Sequence, residues 1–295
     1  MEESDHLIQG MTSNGEFRII AARTTDTVQT ARLRLDLSPV ATDALGRAMT
    51  GALLLARLLE KHVREQRVTL RFEGGGPIGT LIAEGTLAGS ARGYVSNPQV
   101  AGNGLDVGHA VGMNGTLTVI RGTPPSGSLY TSQIELVSGE VAKDLAQYLA
   151  TSEQVTSAVL LSVLNKPMGV AAAGGLIVQS FPHASEATLD LMETKIRQAP
   201  PFSVLLDRMS IEDAVGTVLE GVGYKRLHAS FDVPLRFRCS CSRERALAPL
   251  ALFSREEVQE MIREQGGTQV VCQFCGMKYQ FSPDDLLALS ALPDA

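Results

Sequence analysis

Phe237-Arg238-Cys239-Ser240-Cys241-Ser242-Arg243-Glu244-Arg245 and, after thirty residues beyond Cys241, Cys272-Gln273-Phe274-Cys275-Gly276 together hold all four cysteines of the 295-residue chain. Cysteine used as a small buried hydrophobe would be scattered. Two close pairs confined to the last fifth of a chain instead offer four thiolates, the soft tetrahedral donor set that zinc prefers. The C-x-C half is unusual, because zinc knuckles space their sulfurs by two or more residues so that the backbone can turn both toward one ion. Gly276 fits such a knuckle, where a residue without Cβ takes positive φ as the chain wraps the metal.

Static disulfides, a thioredoxin-like active site and a metal site compete for these cysteines. Met1-Glu2-Glu3-Ser4-Asp5 is acidic and is followed by Gly10 and Asn14 rather than an apolar core, which does not read as a secretory signal. No run of eighteen apolar residues predicts a membrane span. The expectation is a cytoplasmic protein with no membrane partner, in a reducing compartment where paired cysteines bind metal or carry redox chemistry. A thioredoxin-like site needs C-x-x-C at the start of a helix, whereas Lys278-Tyr279-Gln280-Phe281 alternates as a strand. Metal ligation and thiol switching both stay open.

Hydrophobic residues make up 44% of the chain, aromatics 5%, and tryptophan is absent, so the core must rest on Val, Leu, Ile and Ala. A formal net charge of −6 opposes a general nucleic-acid binder, which needs a basic surface. Lys225, Arg226, Arg236, Arg238, Arg243 and Arg245 do flank the first cysteine pair. They read as a solvated face, as a field that stabilises thiolates, or as the patch of a zinc ribbon on nucleic acid, against which the lack of interleaved aromatics weighs.

The chain reads as α+β: a mixed core domain with an antiparallel sheet over residues 1–182, a helical linker over 183–238, and a small C-terminal zinc-binding domain over 239–295. In the core, residues 17–22 form an opening strand. Residues 38–62 form a helix with Ser38 as N-cap, Pro39 as first residue, and a stripe of Leu45, Met49, Leu53, Ala56 and Leu59. Strands at 68–72, 79–83 and 91–95 suggest a meander, and strands at 115–121 and 128–137 flank a Pro124-Pro125 turn. A helix over 139–152 and strands at 156–164 and 175–180 complete the domain. Gly74-Gly75-Gly76-Pro77 matches neither a phosphate loop nor a dinucleotide fingerprint and reads as a hairpin turn. Ala172-Ala173-Gly174-Gly175 reads as a tight turn or a close approach of backbones. His6, His62, His109, His183 and His228 lie at no metal-motif spacing, and no catalytic motif emerges, so an enzyme is not expected.

Helices over 184–196 and 210–220 carry apolar faces too small to fold alone and mark 183–238 as a region of conditional stability. In the last domain Ser254 with Glu257 forms a capping box for a helix carrying Val258, Met261 and Ile262, ended by Gly266-Gly267. Ser282 opens a final helix through Leu286, Leu287 and Leu289 in the same way. A domain this small has a marginal core, so metal ligation is expected to supply much of its folding free energy.

The run from Phe237 to Arg245, Glu256-Glu257-Val258, Val271 to Gly276 and Tyr279-Gln280-Phe281 resemble the redox domain of the heat shock protein 33 family. Ala172-Ala173-Gly174-Gly175 with Gln179 and Pro182, and the Gly74-Gly75-Gly76-Pro77 turn, resemble its core. The resemblance runs nearly end to end. It implies a redox-regulated holding chaperone, active without ATP, whose partners are unfolded client proteins and which dimerises on activation. It implies that Cys239, Cys241, Cys272 and Cys275 hold zinc in the reduced, inactive protein. Oxidation is then implied to join Cys239 to Cys241 and Cys272 to Cys275, with loss of the metal. A constitutive zinc-stabilised interaction or nucleic-acid-binding module is the alternative.

Overall fold

The computed structural model describes residues 3–58, 66–101, 106–122 and 127–290, with side chains to 288. The chain divides into two compact units, Met1–Arg238 and Cys239–Ala295.

The first unit runs β1 (His6–Thr12), β2 (Phe17–Arg23), α1 (Thr25–Leu35), α2 (Pro39–Leu58), β3 (Arg67–Glu73), β4 (Leu81–Thr86), β5 (Ser90–Val95), α3 (Val107–Val111), β6 (Thr116–Gly122), β7 (Leu129–Glu135), α4 (Val141–Thr151), β8 (Ser157–Lys166) and β9 (Gly169–Ser180). It continues through α5 (Glu186–Gln198), α6 (Phe202–Leu206), α7 (Ile211–Val218), β10 (Tyr224–Arg226), β11 (Val233–Pro234) and β12 (Arg236–Phe237). One sheet has the order β10-β1-β2-β9-β8, with β11 also paired to β1; the other has the order β12-β5-β4-β3-β6-β7. All these pairs are antiparallel except β12 with β5. The expected meander is β3, β4 and β5, and the mixed α and β class with antiparallel sheets is the one that the strand and helix patterns imply.

Helix α2 fills the space between the sheets. Ser38 caps it, accepting from Ala41 N–H at 3.4 Å, and it is buried nearly all round rather than along one stripe, from Val40 to Ala56. Ala, Gly and Thr at Ala41, Ala44, Gly46, Ala48, Thr50, Gly51 and Ala52 make that possible, because small side chains let both sheets approach. Residues 59–62 of the expected helix, and the Pro124-Pro125 turn, lie outside the described residues. Alternation along the strands divides the core in two. Ile20, Ala22, Ala173 and Ile177 face α2, while Ile19, Ala21, Ala172, Leu176 and Val178 face a second layer made by Met192, Phe202, Leu205, Leu206, Ile211 and Val215 of α5, α6 and α7.

Residues 183–238, expected as a helical linker, thus cover one face of a sheet and carry three short strands of two or three residues each. These strands have no local pattern of their own; they form because β1 and β5 present open edges. Gly174 and Gly175 prove to be a close approach within β9 rather than a turn: a Cβ on Gly174 would lie 2.4 Å from the Ala22 carbonyl oxygen and from Leu206 Cδ1. Gly74 and Gly76, in the connection between β3 and β4, lie equally close to the backbone of Val111 and Gly112.

Helix backbone approaches the sheet closely at Gly85 of β4, where a Cβ would stand 2.5 Å from the Ala52 carbonyl carbon and the Leu53 nitrogen on α2. Backbone cannot yield as a side-chain tip can, so Gly85→Val is expected to cost about 3 kcal/mol through overpacking. Urea unfolding of the reduced protein measures this as a lower midpoint at unchanged slope.

The second unit consists of α8 (Arg243–Leu247), a 3-10 turn (Ala248–Leu252), α9 (Arg255–Gln265), β13 (Thr268–Val271), β14 (Lys278–Phe281) and α10 (Pro283–Ser290). Among the described residues its buried apolar cluster is small: Leu250, Val258, Phe281 and Leu286. The capping box of Ser254 and Glu257 is present in both directions, and Gly266 closes α9 at φ 65°. Ser282 and Asp285 exchange the same pair of bonds at the start of α10.

Candidate metal and thiol centre

Cys239 follows directly on β12 and Arg238, and Cys241 precedes α8, whose N-cap Ser242 accepts from Arg245 N–H at 3.2 Å. Cys272 and Cys275 stand in the turn of the β13–β14 hairpin, whose register runs from Thr268 opposite Phe281 to Val271 opposite Lys278. The Cys272 carbonyl accepts from Cys275 N–H and Gly276 N–H at 3.3 and 2.8 Å, and Cys272 N–H donates to the Met277 carbonyl at 2.9 Å. This is a knuckle, and Gly276 takes φ 69° in it, as a wrapped turn requires.

All four sulfurs lie within 4.8 Å of one another. Cys239 Sγ is 3.7 Å from Cys272 Sγ and Cys241 Sγ is 3.4 Å from Cys275 Sγ, far beyond an S–S bond, and all four are free thiols. Cys275 is buried at 5% exposure, and the other three are half-buried. The cluster can hold a metal ion, and among the described residues it is the group of potential ligands that the fold assembles. The described histidines make other contacts instead: His6 with the Ser4 carbonyl, His109 with Asp106, His183 with the Gly15 carbonyl and His228 with Ser230. His62 lies outside the described residues.

Two features of the centre were not read from the sequence. The Tyr279 hydroxyl donates to Cys241 Sγ at 3.1 Å. Alternation along β14 was the available signal, since it places Tyr279 on the same inward face as Phe281. Arg245 ties the C-x-C spacer, donating to the Ser240 carbonyl at 2.8 Å and to its hydroxyl at 3.0 Å. Arg243 reaches the Gln280 carbonyl and the Asp285 carboxylate, with its guanidinium 4.6 Å from the Phe281 ring centroid. Arg243 and Arg245 brace the second unit, while Arg226 belongs to the first and pairs with Glu212 and Asp232.

Burial pushes the Cys241 thiol up, but the Tyr279 hydrogen bond and the neighbouring sulfurs outweigh it and bring the group down to about 7. Cys272 and Cys275 are raised, burial being the chief cause in each. The bond to Cys241 pushes the Tyr279 hydroxyl up to about 12. At Cys241 the groups that favour the thiolate are thus a tyrosine hydroxyl and the neighbouring sulfurs.

No helix among the described residues is long and apolar enough to cross a membrane. The Hsp33 protein family matches residues 5–282. The 33 kDa chaperonin of Thermus thermophilus is 47% identical over 97% of this chain and 86% of its own. That of Bacillus subtilis is 38% identical over 97% and 98%. Among solved structures, the 33 kDa chaperonin (heat shock protein 33 homolog) of Thermotoga maritima superimposes with a TM-score of 0.87 at 33% identity, covering 98% of each chain. With a match from near one end to near the other, in sequence and in fold, this chain belongs to the Hsp33 protein family.

Proposed function

We propose that the protein is a redox-regulated holding chaperone of the cytoplasm, a binding protein rather than an enzyme, that captures unfolding clients without ATP and works as a dimer when active. The observation that carries this reading is the pairing of a four-thiol cluster with a buried apolar cluster of only four side chains among the described residues of the same unit. Order there depends on the sulfurs, and sulfurs respond to oxidants.

Zinc fits the donor set. Tetrahedral coordination at a Zn–S distance of 2.3 Å places sulfurs about 3.8 Å apart, and the separations of 3.7 and 3.4 Å lie close to that spacing. Cys239 and Cys241 on the C-x-C segment and Cys272 and Cys275 in the β13–β14 hairpin would hold one ion together and so tie the two segments. An oxidant that joins Cys239 to Cys241 and Cys272 to Cys275 removes four thiolates, and the remaining disulfides are poor ligands. The hairpin and α8 then lose their common anchor.

Residues 183–238 act as the responsive segment. Cys239 follows Arg238, whose N–H is bonded to the Ala91 carbonyl at 2.9 Å, at the end of the two-residue strand β12. So short a strand has little to hold it once the following residues are released. Loosening there threatens β11, β10 and the α5–α7 layer, whose inner face is apolar.

The test combines metal, disulfides and holding in one sample. Peroxide with mild heat is expected to release about one zinc per chain, to yield the two within-pair disulfides on peptide mapping, and to suppress aggregation of a thermally unfolding client. Zinc retained under oxidant would leave a constitutive zinc-stabilised module. Zinc lost while the client aggregates undiminished would refute the switch.

A further inference from the structure

Tyr279 links the two cysteine pairs by a contact that packing does not require. Its backbone is fixed opposite Val270 in the hairpin, and its ring packs beside Leu250, Val258, Phe281 and Leu286. Phenylalanine would fill that space as well. The hydroxyl adds one thing, a hydrogen bond of 3.1 Å donated to Cys241 Sγ. We propose that Tyr279 is a positioning residue that slows oxidation of Cys241, by occupying sulfur electron density that an oxidant would otherwise meet.

This rests on the redox-switch reading and deepens it. With a peroxide as oxidant, the Cys241 thiolate attacks one peroxide oxygen. The S–O bond forms, the O–O bond breaks and hydroxide leaves, so sulfur loses two electrons and the peroxide gains them. A second cysteine thiolate then displaces hydroxide from that sulfur and forms the disulfide. The first step spends a sulfur lone pair. Nucleophilicity falls as a donor draws on the sulfur's electron density, and the Tyr279 hydrogen bond weakens as the S–O bond forms, which raises the barrier. In the metal-loaded protein the ligands are deprotonated whatever their neighbours, so the effect falls on how readily the sulfur reacts rather than on how much thiolate exists.

The test uses the full-length, reduced, metal-loaded protein and Tyr279→Phe. Losing a hydrogen bond to an ionised group is expected to raise the rate of peroxide-driven metal release roughly tenfold. Release to a chelator without oxidant should be no faster, because the sulfur then donates to the metal undiminished. With cobalt in place of zinc, the sulfur-to-metal charge-transfer bands should shift. Val270→Ala, which loosens the hairpin opposite Tyr279 without touching the hydroxyl, is the control. If Tyr279→Phe retains no metal, 3-fluorotyrosine at position 279 keeps the ring, strengthens the donor and should slow peroxide release. Equal peroxide rates in the Phe variant or in the fluorinated protein, or acceleration by peroxide and chelator alike as in Val270→Ala, overturn the proposal alone. A wild-type protein that keeps its metal under peroxide overturns the switch, and the brake with it.

Discussion

Stripping the metal from the reduced protein with a strong chelator will unfold residues 239–290 and leave α2, β2 and β9 of the first unit folded. The second unit presents Leu250, Val258, Phe281 and Leu286 as its buried apolar cluster among the described residues, each worth about 2 kcal/mol on burial. The charged contacts around it are exposed, as at Arg243 with Asp285, and exposed pairs contribute little. Ordering a chain of this length costs more than such a core returns, whereas a structural zinc site contributes about 10–16 kcal/mol. Hydrogen exchange is the measurement. Amides of β13, β14 and α9 should lose protection on chelation, while those of α2, β2 and β9 keep theirs. Cys275→Ser, which removes the most buried thiol of the cluster, should give the same pattern without chelator. A metal-free protein whose hairpin amides stay protected would remove the physical basis of the proposed function.

The second unit was legible in the sequence because its determinants are local. Ser254 with Glu257, Gly266, Gly276 and the alternation of residues 278–281 each act within a few positions, and each has the geometry that its residue type implies. The first unit was legible only where the same held, as at Ser38-Pro39. Helix α1 went unread because its start is organised from a distance. Thr24 provides no side-chain cap, and the Asp5 carboxylate instead accepts from Asp26 N–H and from Thr27 N–H and hydroxyl at 2.7–3.2 Å. Strands β10 to β12 exist because partners offer edges, which no pattern of two or three residues can announce. The burial of α2 on all sides follows from two sheets meeting across it, and that pairing is likewise nonlocal. At the thiol cluster the cysteine spacing was visible, but Tyr279 and Arg245 were not, since their roles depend on which way a side chain points after folding.

Arg23→Ala should weaken the α5–α7 layer by roughly 3 kcal/mol and produce holding activity without oxidant, because it orphans buried groups rather than trimming a surface. Arg23 ends β2 at 8% exposure. Its Nη2 donates to the Leu206 and Met209 carbonyls at 2.7 and 3.0 Å, and its Nε to Glu3 at 3.1 Å. The same Glu3 oxygen accepts from Ile211 N–H at 2.9 Å. One guanidinium therefore ties the end of α6 and the start of α7 to the sheet. Without it Phe202, Leu205, Leu206, Ile211 and Val215 can part from Ile19, Ala21 and Leu176 while α2 and the other sheet stay packed. Reduced, metal-loaded Arg23→Ala should bind an apolar dye and delay aggregation of an unfolding client. Gly85→Val, comparably destabilised on the far side of α2, should do neither. If Arg23→Ala loosens residues 202–218 by hydrogen exchange yet leaves the client to aggregate, clients bind elsewhere. If both variants hold clients equally, any partial unfolding suffices, and the layer has no special part in the activity.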